Sequence, residues 1–565
     1  MHSLGRRILA GFITIQIVVV AFFLLRNPFD QVKGFRNIVQ QLNVGNILSR
    51  SNFSNYENTT QQSTFKDTTQ QSNFKDMPQS SIAVKTDISK VTTETNNRPL
   101  TAPVTSLPVQ KPIVKYAEYP YRTYNVTCRT VSQTLRNTPF TPDDAKNVLE
   151  WYKSVDDYFK PHRTDPINMP EDEGENLFLN YDYNKPSSHT LTDANFQYFH
   201  FDGDKISCYK RGTADIRSQP NGTTCICHQE FTGKLCSVPK TVENSRKNVK
   251  RQYTFKPRKV PRRIIFAMTF NMEHIILYLK MIQNAPAVDL FVLLESNFTN
   301  YGDPKPLYLL PVLKRGFMRR WHGKIMHMFT SEFLQQARQR GKGFEQENHI
   351  RGLFAPAIKQ RVSNVRDDDL FLYFDADETP GLDELLFLKL HDGYPVPVGF
   401  HMILCRYGLY WWDEKVKWRA VGVAPMKMFL DVYSGHANIL RGHTGIRKNK
   451  RIKNFGSDPL HEVWNLGSEA NCVGWHLSPS GTPGQVFTKI MSVINADWPR
   501  FADNPVNRNI TYIASLFRRG RFFDLKHDCV AICPRELPQF KDLGYIFKYP
   551  NYFNYLLVNP NLFIP

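Results

Sequence analysis

Residues 367–380 read DDDLFLYFDADETP, and the rest of the chain is organised around this stretch. Its apolar, aromatic-rich run at residues 370–374 is bounded by charge on both sides, which predicts a buried β-strand. The strand is followed at once by Asp375, Asp377 and Glu378. Asp375 and Asp377 lie on one side of an extended backbone, so their charges repel each other. Because oxygen-ligated divalent cations relieve such repulsion, the sequence predicts a metal site at this strand end.

The chain alternates between strand-like and helix-like segments from residue 260 onward. Strands are predicted at residues 264–268, 289–295, 325–329 and 370–374, and helices at 273–283, 332–340, 345–360 and 382–390. This alternation indicates the α/β class, with a parallel or mixed sheet covered on both faces. In such folds the ligand site lies beyond the carboxyl ends of the strands, where the three acidic residues are expected.

An apolar run at residues 8–25 indicates how the chain is located in the cell. The run is about long enough to cross a bilayer, and Arg6, Arg7 and Arg26 flank it. We expect a signal-anchor helix with residues 1–7 as a cytoplasmic tail and the remainder lumenal. A removable signal peptide is the alternative.

Six Asn-x-Ser/Thr triplets are typical of an exported chain. They begin at Asn52, Asn58, Asn125, Asn221, Asn297 and Asn509. The nine cysteines would then lie where disulfides form, and their odd number leaves at least one thiol free or joining two chains. A net charge of +20 would suit nucleic acid, an acidic membrane or a small anion, but export argues against nucleic acid.

The region before the α/β pattern divides by composition. Residues 26–115 are predicted to be a disordered stem, because they are rich in Ser, Thr, Asn and Gln and contain a tandem repeat, TTQQSTFKD at 59–67 and TTQQSNFKD at 68–76. Residues 116–204 are predicted to be irregular or mixed. Residues 241–259 read as a basic linker, for which a solvated joint is favoured over a nucleic-acid-binding segment.

Residues 205–240 resemble the C-terminal half of an EGF-like module, with cysteines and a glycine spaced C-x-C-x5-G-x2-C. Cross-links replace a hydrophobic core in so short a segment. Of three connectivities we expect Cys208 with Cys225 and Cys227 with Cys236. A zinc site is the alternative.

Six motifs in order make the chain from Cys208 onward resemble glycosyltransferase family 17. They are VPRRIIFAM (260–268), LLESNFT with YGDPKPL (293–299 and 301–307), DDDLFLYFDADETP (367–380), LFLKLHDGYP (386–395), FHMILCRYGLYWW (400–412) and GWHLS (474–478). The resemblance implies a GT-A-like catalytic domain at residues 260–565, in a Golgi type II membrane enzyme. It implies inverting transfer of GlcNAc from UDP-GlcNAc to a mannose of N-glycans on glycoproteins, at the β1,4 bisecting position, with a divalent metal, usually Mn²⁺.

The resemblance also implies roles for residues of the site. Asp375 and Asp377 match the family's metal and diphosphate motif, and His476 is a third candidate metal ligand, with a packed histidine as the alternative. Glu378 is the candidate general base, and a supporting or capping carboxylate is the alternative. With Asp377, it forms the predicted catalytic pair.

Three further residues are predicted to bind the donor together with Asp375. Glu295 and Ser296 end a predicted strand, where uridine or sugar would lie. Arg351 could bind a phosphate in a bidentate manner or pair with Glu347 four residues earlier.

An aromatic run, a basic cluster and the remaining cysteines can also be interpreted from the sequence. The aromatic run Tyr407, Tyr410, Trp411 and Trp412 is expected in the core rather than stacked on acceptor sugars. A basic cluster is expected to be a solvated loop rather than a donor-steering patch, and it comprises Arg441, Arg447, Lys448, Lys450, Arg451 and Lys453. Further bridges are expected among Cys405, Cys472, Cys529 and Cys533, with Cys128 as the odd thiol that could join a homodimer.

A second function fits the same sequence. The chain could be a non-catalytic lumenal or cell-surface protein that binds glycans through the EGF-like segment and an aromatic cleft. Binding of a sugar nucleotide with a metal ion separates the two functions, because a bound donor stabilises the fold that binds it.

Overall fold

The computed structural model describes residues 139–557, except 168, 170–181, 194–197, 203–204, 220–221, 246–252, 340, 443–454, 456–462, 493–499 and 527. The predicted tail, anchor and stem lie outside the described residues. No helix within the described ranges has the length and apolar character needed to cross a membrane.

The described α-helices are, in chain order, α1 Pro142–Tyr158, α2 Lys240–Ser245, α3 His274–Asn284, α4 Leu309–Lys314, α5 Gly343–Gly352, α6 Phe354–Arg361, α7 Leu382–Leu390, α8 Met426–Asp431, α9 Ala437–Gly442, α10 Pro483–Ser492, α11 Ile510–Arg519, α12 Gly544–Lys548 and α13 Pro550–Leu557.

The described strands are β1 His189–Thr190, β2 Phe199–Asp202, β3 Lys205–Tyr209, β4 Thr213–Gln219, β5 Gly222–Cys227, β6 Phe231–Thr232, β7 Val238–Pro239, β8 Lys256–Pro257, β9 Ile264–Phe270, β10 Leu290–Ser296, β11 Ile325–Thr330, β12 Val362–Ser363, β13 Leu370–Tyr373, β14 Glu378–Pro380, β15 His391–Asp392, β16 Val398–Tyr407, β17 Trp411–Trp412, β18 Trp418–Pro425, β19 Trp464–Leu466, β20 Gly474–Ser480 and β21 Val530–Ala531.

A mixed sheet forms the centre of the fold, in agreement with the predicted class. Strands β11, β10, β9 and β13 are adjacent and parallel, and β18 then pairs with β13 in the antiparallel direction. All seven residues of β10 and all four of β13 are buried. Strands buried on both faces read as continuous apolar runs, which is the pattern that these segments show in the sequence.

The second half of the sheet brings the end of the chain to the acidic residues. Strand β16 pairs with β18 in the antiparallel direction and with β20 in the parallel direction. Strand β14, which begins at Glu378, pairs with β20 so that Glu378 lies opposite His476. Two segments almost 100 residues apart in the sequence therefore meet at one edge.

Most predicted elements of the first half are confirmed within a few residues, and α7 has the predicted bounds of 382–390. The predicted helix at 332–340 is wrong, since the structure has only a 3₁₀ turn at Gln335–Arg338 with Ala337 as its buried residue. The helix predicted at 345–360 divides into α5 and α6. Pro356 lies in the first turn of α6, where its missing N–H costs no helical hydrogen bond.

The EGF-like segment has the predicted connectivity, with disulfides Cys208–Cys225 and Cys227–Cys236. Beyond it, Cys533 is disulfide-bonded, whereas Cys405 and Cys472 hold free thiols. The prediction of bridges at those two positions is therefore wrong. Cys128 lies outside the described residues, so the homodimer stays a prediction.

Two other regions show more detail than their predictions. The region predicted to be irregular or mixed contains α1, whose N-terminus is closed by a capping box between Thr141 and Asp144. Arg263, which follows the basic linker predicted at 241–259, is buried and donates to Asp369 Oδ2 at 2.7 Å. Buried charges are normally paired in this way.

Candidate active site

A cavity of about 400 Å³ opens where the parallel strands end. It is lined by residues at the carboxyl ends of β9 and β10 and by the turn after β13, with side chains from α5, α9 and α10 completing the wall. The carboxyl ends of parallel strands meet at one edge of a sheet, which is the usual ligand position in α/β folds. The acidic residues lie where the sequence placed them relative to the sheet.

We call Asp375, Asp377 and Glu378 the acidic turn. The Asp375 carboxylate accepts hydrogen bonds from Arg351 Nη2 at 2.9 and 3.0 Å and from the Tyr373 hydroxyl at 2.8 Å. Arg441 Nη2 lies 3.1 Å from its second oxygen. Burial opposes ionisation of Asp375, but the two arginines outweigh it and hold its pKa below the usual range.

Asp377 has a lysine as its partner. Lys489 Nζ on α10 donates to Asp377 Oδ2 at 2.5 Å and lies 2.8 Å from Glu273 Oε1. His476 Nε2 lies 3.6 Å from the other oxygen, Asp377 Oδ1. Burial again opposes ionisation, and Lys489 with His476 outweighs it, so the pKa of Asp377 is well below its usual value.

Glu378 is enclosed by donors. Its carboxylate accepts from Arg441 Nη1 at 2.6 Å, from Arg441 Nη2 at 2.5 Å and from Trp418 Nε1 at 2.9 Å, and the Asp375 backbone N–H donates at 3.2 Å. The residue is 0% exposed. A general base must reach the acceptor hydroxyl within hydrogen-bond distance. The geometry therefore favours the alternative reading of Glu378, a carboxylate that supports the turn.

A second lysine lies behind the acidic turn. Lys280 on α3 is fully buried, and its Nζ donates to the Asp375 backbone carbonyl at 2.6 Å. Burial lowers the pKa of Lys280 to about 7. This hydrogen bond fixes the backbone of the turn from the side away from the cavity.

Arg351 makes the predicted pair with Glu347, whereas its binding of a phosphate stays a prediction. It binds a carboxylate across the cavity, Asp375, and it pairs with Glu347 on its own helix at 2.5 Å. Burial is the largest effect on Glu347 and raises its pKa. Arg351 lines the cavity and would be available to an anion there.

The two residues predicted at the end of β10 separate in the structure. Ser296 lines the cavity, and its hydroxyl accepts from the Phe298 N–H at 3.1 Å. Glu295 points elsewhere, because its carboxylate accepts from the first N–H groups of the α4 region, Tyr308 to Leu310, and from His327 Nε2 at 2.9 Å. This is a helix-capping function, in contrast with the donor contact that we predicted for Glu295.

The predicted metal ligands are brought together only in part. Within the described ranges no three His, Cys, Asp or Glu side chains are grouped as a metal site. Asp375 is turned toward arginines, whereas Asp377 Oδ1 and His476 face each other. His476 Nδ1 is buried and has no hydrogen-bond partner among the described residues. Asp377 and His476 therefore fit a metal better than Asp375 does, since carboxylate oxygen and imidazole nitrogen are both metal donors.

Two predictions about surrounding groups are resolved by burial. Tyr407, Tyr410 and Trp411 are core residues, as expected, and none of the aromatic run lines the cavity. Arg441 was expected in a solvated loop and is instead a cavity residue paired with the acidic turn, so that expectation is wrong for it. The other members of the basic cluster lie outside the described residues.

Sequence reasoning missed five residues of the site, namely Glu273, Lys280, Lys305, Trp418 and Lys489. The motif YGDPKPL contains Lys305, so a closer reading of that motif could have selected it. The others lie in segments with no chemical signature of their own, and only the packing of α3, β18 and α10 against the acidic turn reveals them.

The sheet and the ionic cavity at its carboxyl edge define an α/β protein with a candidate active site at a strand edge. Residues 235–436 match the family model of Glycosyltransferase family 17, so the predicted resemblance is confirmed for this segment. The chain is 33% identical over 346 residues to the beta-1,4-mannosyl-glycoprotein 4-beta-N-acetylglucosaminyltransferases of Mus musculus, Rattus norvegicus and Homo sapiens. The alignments cover 60% of this chain and 62% of each relative, so the chain spans less than two thirds of their length. No solved structure matches the chain.

Proposed function

We propose that this chain transfers GlcNAc from UDP-GlcNAc to a mannose of N-glycans, at the β1,4 bisecting position and with inversion. The observation that carries the proposal is the acidic turn, which lies inside the segment that matches the family 17 model and at the sheet edge where α/β proteins bind ligands. The names of the three relatives supply the acceptor and the linkage.

The reaction is a single displacement. The acceptor hydroxyl oxygen forms a bond to C1 of GlcNAc, and the bond from C1 to the β-phosphate oxygen breaks. The electron pair of the broken bond stays on UDP, and the hydroxyl proton passes to a general base. A β-linked product from an α-linked donor requires this inversion at C1. The developing charge is on the diphosphate, so donors and cations directed at that group lower the barrier.

The charges of the cavity support binding of the donor together with a metal ion. Five carboxylates and four Lys or Arg side chains line the cavity, which leaves one negative charge in excess. A diphosphate adds further negative charge, so a divalent cation would offset repulsion that the protein's own cations do not. Asp377 and His476 would hold this ion, which would supply electrostatic stabilisation of the UDP leaving group.

The chain's own cations hold the site in shape. Lys489 and Arg441 neutralise Asp377 and Glu378, and Lys280 fixes the turn through the Asp375 carbonyl. Glu378 thereby positions Arg441 beside the cavity and does not exchange protons with the acceptor. We propose Glu378 as a positioning residue, and Asp377 as the carboxylate of the acidic turn that would help to hold the metal ion.

We also propose the location that the sequence indicated, a Golgi membrane with the domain in the lumen and an anchor at residues 8–25. The two disulfides of the EGF-like segment support an oxidising compartment, because such bonds do not persist in the cytosol. Tagging each end of the full chain and treating sealed vesicles with protease tests the orientation.

The test of the activity compares wild type with Asp377→Asn. The full chain is incubated with UDP-GlcNAc, Mn²⁺ and a panel of defined N-glycans, and products are identified by mass spectrometry. We expect one added GlcNAc on mannose, and a loss of roughly a hundred-fold or more in rate for Asp377→Asn, the range seen when one electrostatic contact to a transition state is removed.

Asp367→Asn is the matched control, because Asp367 precedes the same strand at the opposite edge and its side chain is largely exposed. It should retain wild-type activity. Full activity of Asp377→Asn would contradict the proposal. No product with any acceptor, combined with tight binding of glycan alone, would favour the non-catalytic function.

A further inference from the structure

The cations of the cavity fall into two kinds. Arg351, Arg441 and Lys489 each lie within 3.1 Å of at least one carboxylate oxygen of the acidic turn. Lys305 also lines the cavity, yet its Nζ is buried and has neither a hydrogen bond nor an ion pair with any described residue. One cation of the site thus lacks a counter-charge of its own.

The loop that carries Lys305 is held firmly in place. The backbone N–H of Lys305 donates to the Asn297 carbonyl at 2.8 Å, and Phe298 forms a β-bridge with Pro304. Gly302 turns the loop with φ of +88°, and the Phe333 ring packs where a Cβ would lie. The lysine is therefore presented to the cavity by a closed loop at the end of β10.

Keeping a buried ammonium without a partner costs folding free energy. Only weak interactions offset this cost. Glu295 and Glu273 attract the ammonium of Lys305 without contacting it, and the centroid of the Tyr308 ring lies 5.2 Å from Lys305 Nζ. Burial outweighs these effects and lowers the pKa of Lys305 to about 8. The ammonium is still the main form near neutral pH, so an anion that enters the cavity finds a desolvated positive charge.

We propose that Lys305 binds the diphosphate of the sugar-nucleotide donor. This inference rests on the proposed function and adds a residue to it. An ammonium acts as a point charge toward phosphate, and it is most effective where water is excluded and the protein offers no competing carboxylate contact. Lys305 meets both conditions, whereas the other three cations already neutralise carboxylates. Its loop extends from β10, at the strand edge where α/β folds bind ligands.

The experiment measures binding of UDP and of uridine to the full chain by calorimetry, with Mn²⁺ present and no acceptor. Lys305→Met should weaken UDP binding at least ten-fold and leave uridine binding unchanged, because uridine has no phosphate. Lys305→Arg should bind UDP within about three-fold of wild type, since the charge is kept. Lys314→Met is the matched control, because Lys314 is exposed, lies outside the cavity and donates to Asn184 Oδ1 at 2.6 Å.

Thermal unfolding without ligand supplies a second readout. Lys305→Met should have a Tm equal to or above that of wild type, because the substitution removes an unpaired buried charge. A lower Tm combined with loss of both UDP and uridine binding would show a structural role and overturn the proposal.

The remaining outcomes separate the two proposals. Wild-type UDP affinity in Lys305→Met would overturn the role of Lys305 while leaving the transferase function standing. Failure of the wild-type chain to bind UDP at all, with or without Mn²⁺, would remove the proposed function itself and with it the basis for this inference.

Discussion

Two regions of the molecule bury carboxylates at the edge of a secondary-structure element, and they differ in what surrounds them. The acidic turn faces a cavity. The second region, which we call the docking cluster, consists of Asp383 and Glu384 on α7 with Arg211 and Lys541, and it joins the EGF-like segment and the C-terminal part of the chain to α7. Asp383 accepts from Arg211 at 2.5 Å and from Lys541 at 2.6 Å, and Thr241 donates to Glu384 at 2.5 Å.

The comparison shows that buried acids alone do not mark a site. Burial opposes ionisation of Asp383, but Lys541 and Arg211 outweigh it and lower its pKa, much as arginines do for Asp375. Glu384 has no cation in contact among the described residues, and burial raises its pKa to about 7. What distinguishes the acidic turn is the adjacent cavity and Lys305, a cation with room for a ligand. The acids of the docking cluster instead hold segments of the chain together.

The largest effect on stability is expected from Arg441→Met. The substitution leaves the Glu378 carboxylate at 0% exposure with only two neutral donors, so the free energy of unfolding should fall by about 3 to 5 kcal/mol. Urea unfolding measures the change. Arg441→Lys is the control, and it should recover part of the loss. If Arg441→Met is as stable as wild type, Glu378 is not held in the turn as the structure shows.

The pH dependence of UDP affinity tests the role of Lys305 in the cavity. The diphosphate prefers protonated Lys305, whose pKa is about 8 in the free chain, so UDP affinity should be constant below pH 8 and fall up to ten-fold per pH unit above it. Glu273, Glu295 and Tyr308 also surround Lys305. Lys305→Arg should remove the pH dependence of UDP affinity, which would assign that dependence to Lys305 rather than to these three groups. Calorimetry between pH 6.5 and 9.5 measures the profile, and an identical profile in Lys305→Arg would assign the titration to another group.

The smallest effect is expected from Asp383→Asn in the docking cluster. Arg211 and Lys541 keep 42% and 43% of their side chains exposed, so solvent replaces the lost carboxylate and the expected loss is about 1 kcal/mol. Rates and UDP affinity should equal those of wild type. A loss of activity without a loss of stability would contradict this expectation, since it would show that the docking cluster affects the function of the cavity.

Much of the first half of the fold could be predicted because its signals are local. Strands β9, β10 and β13 are continuous apolar runs, and α7 begins after a glycine and ends before a strand. The secondary structure of each segment can therefore be predicted from its own residues. The helix predicted at 332–340 failed because propensity favoured a helix where no apolar face was available to pack. The region of α1 was predicted only as irregular or mixed because it contains many prolines and asparagines, although the capping box of α1 is visible in the sequence.

The candidate site could be predicted only where one motif contained it. Asp375, Asp377 and Glu378 are neighbours in sequence, so the acidic turn was found, but whether Glu378 is open or enclosed depends on Arg441 and Trp418, which come from distant segments. The same limit applies to Glu295, whose position at a strand end predicted a ligand contact while its partners are the N–H groups of the α4 region.

The class of fold, the acidic turn, the EGF-like cysteine spacing and the family resemblance could be inferred from the chain alone, because these depend on residues close together in the chain or on motifs in order. The folded structure was needed to establish which carboxylates are neutralised, which cation has no partner among the described residues, and which acids join segments rather than line a cavity. The physical reason is that the state of a buried charge is set by the groups within a few ångströms of it and by its access to water, and strands and helices far apart in sequence supply both.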